Sequence, residues 1–229
     1  MSTQSEVSSS AVPRRALGIA LALVTAVAFA FNNASARLAL EGGSTPLTLA
    51  AFRFVLPTLA LIVWLRLRGL PLGLPARDRW IAMSLGVVTA LYTWSLLIAI
   101  GRIPLAMVIL VFYLFPLVAT LILTACGWEK FGWRTLLTIV LAFAGLALAL
   151  DPRGGNLDVV GIGLAFVGAL GLGTVIALSS RVIRTGDSRP VTLHMAAVAG
   201  TLLITLCLAQ GAFALPVTGR GWLGFVGTA

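Results

Sequence analysis

Apolar runs of about 20 residues, long enough to cross about 30 Å of hydrocarbon, recur along the whole chain and are separated by short polar connections rich in Gly, Pro and Arg. The pattern predicts helical spans near 16–36, 46–65, 80–100, 103–125, 133–150, 159–180 and 191–213, with an eighth beginning at Trp222. The expected fold is therefore all-α, a polytopic membrane helix bundle of seven complete spans and the start of another. The tight link Gly101-Arg102-Ile103-Pro104 makes the third and fourth spans antiparallel neighbours.

One connection is written twice. Ser35 to Leu49 reads SARLALEGGSTPLTL, and Ser179 to Leu193 reads SSRVIRTGDSRPVTL, without a gap and 144 residues later. Seven positions are identical: Ser35/Ser179, Arg37/Arg181, Gly42/Gly186, Ser44/Ser188, Pro46/Pro190, Thr48/Thr192 and Leu49/Leu193. Five spans separate the copies. Because five is odd, the second copy enters the membrane from the opposite side, which predicts an inverted repeat of the kind associated with alternating access. The organisation expected is a disordered cytoplasmic tail over 1–15, a five-helix repeat over 16–150 and an incomplete second repeat over 151–229. Small residues every fourth position, Ala22, Ala26, Ala30 and Ala34 in the first span and Ala165, Ala169, Gly173 and Ala177 in the sixth, form ridges that let helix backbones approach closely.

Composition supports the membrane reading: 59% of residues are hydrophobic and only 10% charged, against about 25% charged in soluble domains. The net charge of +9 would suit nucleic acid, but its distribution points elsewhere. With the N-terminus inside, eleven Arg or Lys residues fall in inner segments and only four, Arg37, Arg102, Arg153 and Arg220, in outer ones. That asymmetry predicts a cytoplasmic N-terminus, with membrane lipid and not nucleic acid as the basic residues' partner. Cys126 and Cys207 have no metal-ligand spacing and read as small buried hydrophobes. No metal, cofactor or catalytic residue is expected.

Arg53 is the one charge well inside a predicted span, about 12 Å from the outer face at 1.5 Å per residue. An arginine there costs about 2.5–3.5 kcal/mol on insertion scales, so it is a candidate substrate ligand; a backbone carbonyl or lipid headgroup are its structural alternatives. Asn32, Asn33, Tyr92, Trp94, Ser95 and Tyr113 fall at similar depth and predict a cavity with aromatic walls, the alternative being interhelical hydrogen bonding. His194, the only histidine, is a candidate for proton coupling or an interfacial residue. Pro116 is a candidate kink that serves a gate or simply fits its neighbours. Glu129 beside Lys130 reads as a loop ion pair or a helix-end interaction.

The order Ile103-Pro104-Leu105-Ala106, Phe115-Pro116-Leu117, Glu129 and Gly145 between Tyr92 and Leu150 resembles the EamA-type family of the drug/metabolite transporter superfamily. Asn32-Asn33 and Phe52-Arg53-Phe54 are similar to that family's first and second helices. The resemblance implies ten helices in two inverted five-helix repeats, so a complete second repeat would end at about residue 294 and the chain is expected to be C-terminally truncated. It also implies a secondary transporter that exports small organic metabolites, amino acids or drugs across a bacterial inner membrane, with a homodimer as an open alternative. A truncated, non-transporting fragment is the other reading. A membrane enzyme lacks a nucleophile and base at membrane depth, and a retinal receptor lacks a lysine within a span. No GxxxxGK[ST] phosphate loop points to ATP-driven transport.

Overall fold

The computed structural model describes residues 24, 27–28, 31, 34–130, 132–150, 158–183 and 187–228. Among them the regular elements are all helices: α1 (34–41, the described end of the first helix), α2 (Pro46–Leu67), α3 (Ala76–Ile100), α4 (Leu105–Phe112), α5 (Phe115–Ala125), α6 (Trp133–Leu150), α7 (Val159–Val182), α8 (Ser188–Ala209) and α9 (Gly219–Gly227). Five stretches are long and apolar enough to cross a membrane: Pro46–Leu67, Ala76–Ile100, Leu105–Ala125, Val159–Val182 and Ser188–Ala209. They coincide with predicted spans two, three, four, six and seven. Helix α6 lies where the fifth was expected, with a shorter apolar stretch over Thr135–Gly145. Most of the predicted first span, including Ala22, Ala26 and Ala30, lies outside the described residues; Ala34 is exposed.

Local signals set the helix ends. Pro75 and Pro104 precede the first residues of α3 and α4, where a missing N–H costs nothing. The Asp158 and Asp187 carboxylates each accept a hydrogen bond of 3.0 Å from a backbone N–H two residues on, capping α7 and α8. Helices α2 and α8 end at Gly69 and Gly211, whose φ angles of 63° and 62° close the last turn.

The described residues form two compact units, one within 46–213 and one within 1–45 and 214–229. In the larger unit α3 packs on both α7 and α8, α2 packs on α8, and α4 and α5 pack on α7. One apolar cluster joins Leu47 and Ala51 of α2 to Ala90 of α3 and to Ala199, Leu203 and Cys207 of α8. The buried Thr48 hydroxyl donates to the Ala212 carbonyl at 3.1 Å and lies 3.4 Å from the Cys207 sulfur, tying the start of α2 to the end of α8. The sixth-span ridge is an internal surface: Ala165, Ala169, Gly173 and Ala177 are all buried. In the smaller unit α1 and α9 cross at glycine, where a Cβ on Gly42 would come within 2.5 Å of the Gly221 Cα. The Val217 N–H donates to the Gly42 carbonyl at 2.9 Å beside that crossing.

Two details depart from the sequence expectations. Cys207 is buried, but Cys126 is exposed at the end of α5, beyond the packed part of that helix. Helix α3 also begins at Ala76, not near 80, and so brings Asp78 into its first turn, where the residue is 3% exposed and 3.8 Å from Arg77. A carboxylate at a helix N-terminus is favoured by the unpaired N–H groups and the helix dipole, which is why the span starts with an acid.

Candidate functional site

Helix α2 carries Arg53 and α3 carries Tyr92, each about 10–12 Å from the same end of the bundle at 1.5 Å per residue. The two helices are in contact, so the two side chains share a depth on neighbouring elements. Tyr92 leads from Arg53 into an aromatic cluster. Its ring stacks on Phe112 at 6.4 Å between centroids, and Phe112 meets Tyr113 edge-on at 6.3 Å and Phe115 at 5.8 Å. Tyr113 and Phe115 lie 5.9 Å apart. A cation at one end of a run of ring faces and phenols can hold an anionic or polar group beside an apolar body.

The cluster gathers where the fourth span breaks. Helix α4 ends at Phe112, Tyr113 and Leu114 form a turn, and α5 restarts at Phe115. Pro116 is the cause. It has no N–H to give to the Phe112 carbonyl four residues back, and its ring crowds that carbonyl. The break therefore falls one turn before the proline. Tyr113 and Pro116 also line a cleft of about 440 Å³ with Thr138, Ile139, Ala142 and Phe143 of α6.

Not every polar residue at this depth joins the cluster. Trp94 packs on the apolar cluster between α2, α3 and α8, two residues and so more than half a turn away from Tyr92. The Ser95 hydroxyl is buried and donates to the Leu91 carbonyl of its own helix at 2.9 Å. Thr58, Thr89, Thr120, Thr174 and Thr205 make the same bond one turn back, which satisfies a hydroxyl in an apolar medium without a partner helix. Asn32 and Asn33 lie outside the described residues. His194 is in a separate cleft of about 250 Å³ with Arg66, Ile62, Leu72, Leu193 and Ala197. Its Nδ1 is 2.8 Å from the Pro190 carbonyl.

Ion pairs bracket α7 at both ends. Arg102, in the link between α3 and α4, donates to Asp158 at 3.0 Å, and Arg181 at the far end donates to Glu129 after α5 at 2.8 Å. The Asp158 carboxyl is held below the usual carboxylate range, first by the Arg102 hydrogen bond and then by the Val160 N–H. Glu129 thus pairs across the bundle with one of the repeated arginines. Sequence reasoning missed Asp78, Phe112 and Phe115. Pro75 was the available signal for Asp78, because a helix that starts behind it takes Asp78 into its first turn. The two phenylalanines are chemically indistinct from the other nine in the chain and needed the break to single them out.

No curated protein and no solved structure matches the chain. Residues 16–150, more than half of the 229, match the model of the EamA-like transporter family. The all-helical arrangement of apolar spans among the described residues agrees with that match. The chain belongs to the EamA-like transporter family, multi-pass membrane transporters of the drug/metabolite superfamily.

Proposed function

We propose that this protein is a secondary transporter that exports small organic metabolites, amino acids or drugs across a bacterial inner membrane, with its N-terminus in the cytoplasm. Arg53 and the ring cluster of Tyr92, Phe112, Tyr113 and Phe115 are the substrate-contacting residues in this reading. The observation that carries it is their shared depth beside a broken helix, since discontinuous helices are where transporters hold substrate at mid-membrane. The favoured substrate carries an acidic or strongly polar group for Arg53 and an apolar or aromatic body for the rings.

Alternating access between inverted repeats is the proposed mechanism, and matched packing within each unit supports it. In the larger unit Ala82 of α3 forms a cluster with Leu74 and Val191, against which Ile183 packs. In the smaller unit Gly224 of α9 lies against α1, where a Cβ would come within 2.7 Å of the Ala39 backbone N. Ala39 is 144 residues before Ile183, and Gly224 is 142 after Ala82 and follows a tryptophan by two residues as Ala82 does. A small residue near the start of α3 thus lies in the cluster against which the end of α7 packs, and one near the start of α9 meets the end of α1.

Export of a panel of amino acids and aromatic acids from cells producing the protein tests the site. Arg53→Gln should lower export of the acidic substrates by about tenfold or more, the weight of a hydrogen bond to a charged group, at an unchanged level of protein in the membrane. Export equal to that of the unaltered chain would sink Arg53 as a substrate ligand.

A further inference from the structure

The cleft that holds His194 belongs to neither the Arg53 cluster nor the α4–α5 break. It lies between α2 and α8 at the end of the bundle that also carries Arg66, Arg68, Arg181 and Arg189. Arg66 is in the last turn of α2 and Leu72 in the connection after it, while His194 and Leu193 face them from α8. Ile62 and Ala197 line the same cleft one turn deeper on their helices, about 6 Å further into the apolar layer. The Pro190 carbonyl can only accept, so His194 gives it the Nδ1 proton, and Nε2 is the nitrogen left for the cleft. The polar groups thus stand at the mouth, and the walls behind them are apolar.

The opposite flank of the same α2–α8 seam is also basic. Arg68 and Arg189 lie over the Trp64 ring, at 5.9 and 5.5 Å from its centroid. Asp187 neutralises Arg189 through two hydrogen bonds of 2.7 and 2.8 Å. Arg68 and Trp64 there form an interfacial anchor. Arg66 has no such stack and lines the cleft instead.

From this geometry we infer that the α2–α8 cleft binds the phosphodiester headgroup of an anionic phospholipid, with Arg66 on the phosphate, the His194 Nε2 accepting from a headgroup hydroxyl, and only the first methylenes of an acyl chain along Ile62, Leu193 and Ala197. A guanidinium matches phosphate oxygens in a fork that a neutral headgroup's compensating amine would weaken. The cleft volume of about 250 Å³ suits a headgroup and not a whole lipid. Basic pockets between helices at a membrane face are the usual receivers of such groups. The inference is independent of the substrate reading, because it uses none of the Arg53 cluster.

Native mass spectrometry of the delipidated protein with phosphatidylglycerol or phosphatidylcholine tests it. The chain should retain phosphatidylglycerol over phosphatidylcholine, and Arg66→Gln should weaken that retention by about twentyfold or more, as expected for a charge-assisted hydrogen bond. Arg68→Gln removes the same charge from the same helix end outside the cleft, so it should cost no more than about fivefold, the diffuse surface attraction of one arginine. Ala197→Phe, which fills the deep end without touching charge, should abolish the preference. Equal losses for Arg66→Gln and Arg68→Gln would reduce the effect to general electrostatics and overturn the site, as would an Ala197→Phe variant that binds normally. Displacement of the lipid by inorganic phosphate at equal concentration would overturn the lipid as its occupant.

Discussion

Gly168 and Gly171 stand three residues apart on α7 and meet side chains of α3. A Cβ on Gly168 would come within 2.6 Å of a Leu96 methyl, and one on Gly171 would overlap the Tyr92 side chain at its root. The second clash cannot be relieved by a rotamer, because the Tyr92 Cβ moves only with the α3 backbone. Gly171→Ala should therefore separate α3 from α7 at the ring cluster and destabilise the protein by about 1–3 kcal/mol, as overpacking does elsewhere. Gly163→Ala on the same helix has nothing within 4 Å and should cost nothing measurable. Thermal unfolding in detergent separates the two, and equal melting temperatures would remove the α3–α7 contact as the reason for Gly171. The ridge of Ala165, Ala169, Gly173 and Ala177 was legible from spacing alone because small residues repeat at helical period. Gly168 and Gly171 were not, because their need for space is set by Leu96 and Tyr92 on another helix. Trp94 and Ser95 had the chemistry of site residues, but one is packed in an apolar cluster and the other bonded to its own backbone.

At the scale of the helix, hydropathy was enough to find α2, α3, α7 and α8, since about 20 apolar residues leave few alternatives. It did not find the break in the fourth span. Pro116 marks a kink, but where the chain yields depends on which neighbours the freed turn can pack against, here the rings of Tyr92, Phe112 and Phe115. Helix α7 is held at its N-terminal end by the Asp158 cap and by the Arg102 pair, and the pair needs the charge of a carboxylate. With its folded pKa held below the ordinary value of about 3.9, Asp158 contributes stability that is present above about pH 4 and is lost as the pH falls through the folded value. Asp158→Asn keeps a capping oxygen but not the charge. The variant should melt lower than the parent at neutral pH, and the difference should close as the pH drops below about 4. A difference that persists in acid would mean that cap geometry or packing, not ionisation, is what the substitution removes.

The packing of the molecule cuts across its sequence repeats. Helix α3 lies in the stretch expected to form a first repeat, yet its main partners are α7 and α8 from the stretch expected to begin a second, so the compact units and the expected repeats do not share boundaries. A duplicated connection shows in sequence because identical residues can be aligned. The intertwining of halves does not, because it depends on which helix faces bury one another. The ion pairs add a constraint on sidedness. Arg102 with Asp158, and Glu129 with Arg181, each join segments that an N-in topology puts on the same side of the membrane. Both pairs would survive if the whole chain were flipped, so they leave absolute orientation to the arginine asymmetry. Cysteines at Glu41 and Ser188, one in each copy of the repeated connection, distinguish the cases. Both residues are exposed, and replacing Cys126 by serine removes the other exposed thiol among the described residues. An impermeant maleimide applied to intact cells should label Glu41→Cys and reach Ser188→Cys only after permeabilisation. Labelling of Ser188→Cys alone would keep the inverted repeat but turn the N-terminus outward. Labelling of both from outside would put the two copies on one side and end the inverted arrangement, and with it alternating access between repeats as the mechanism.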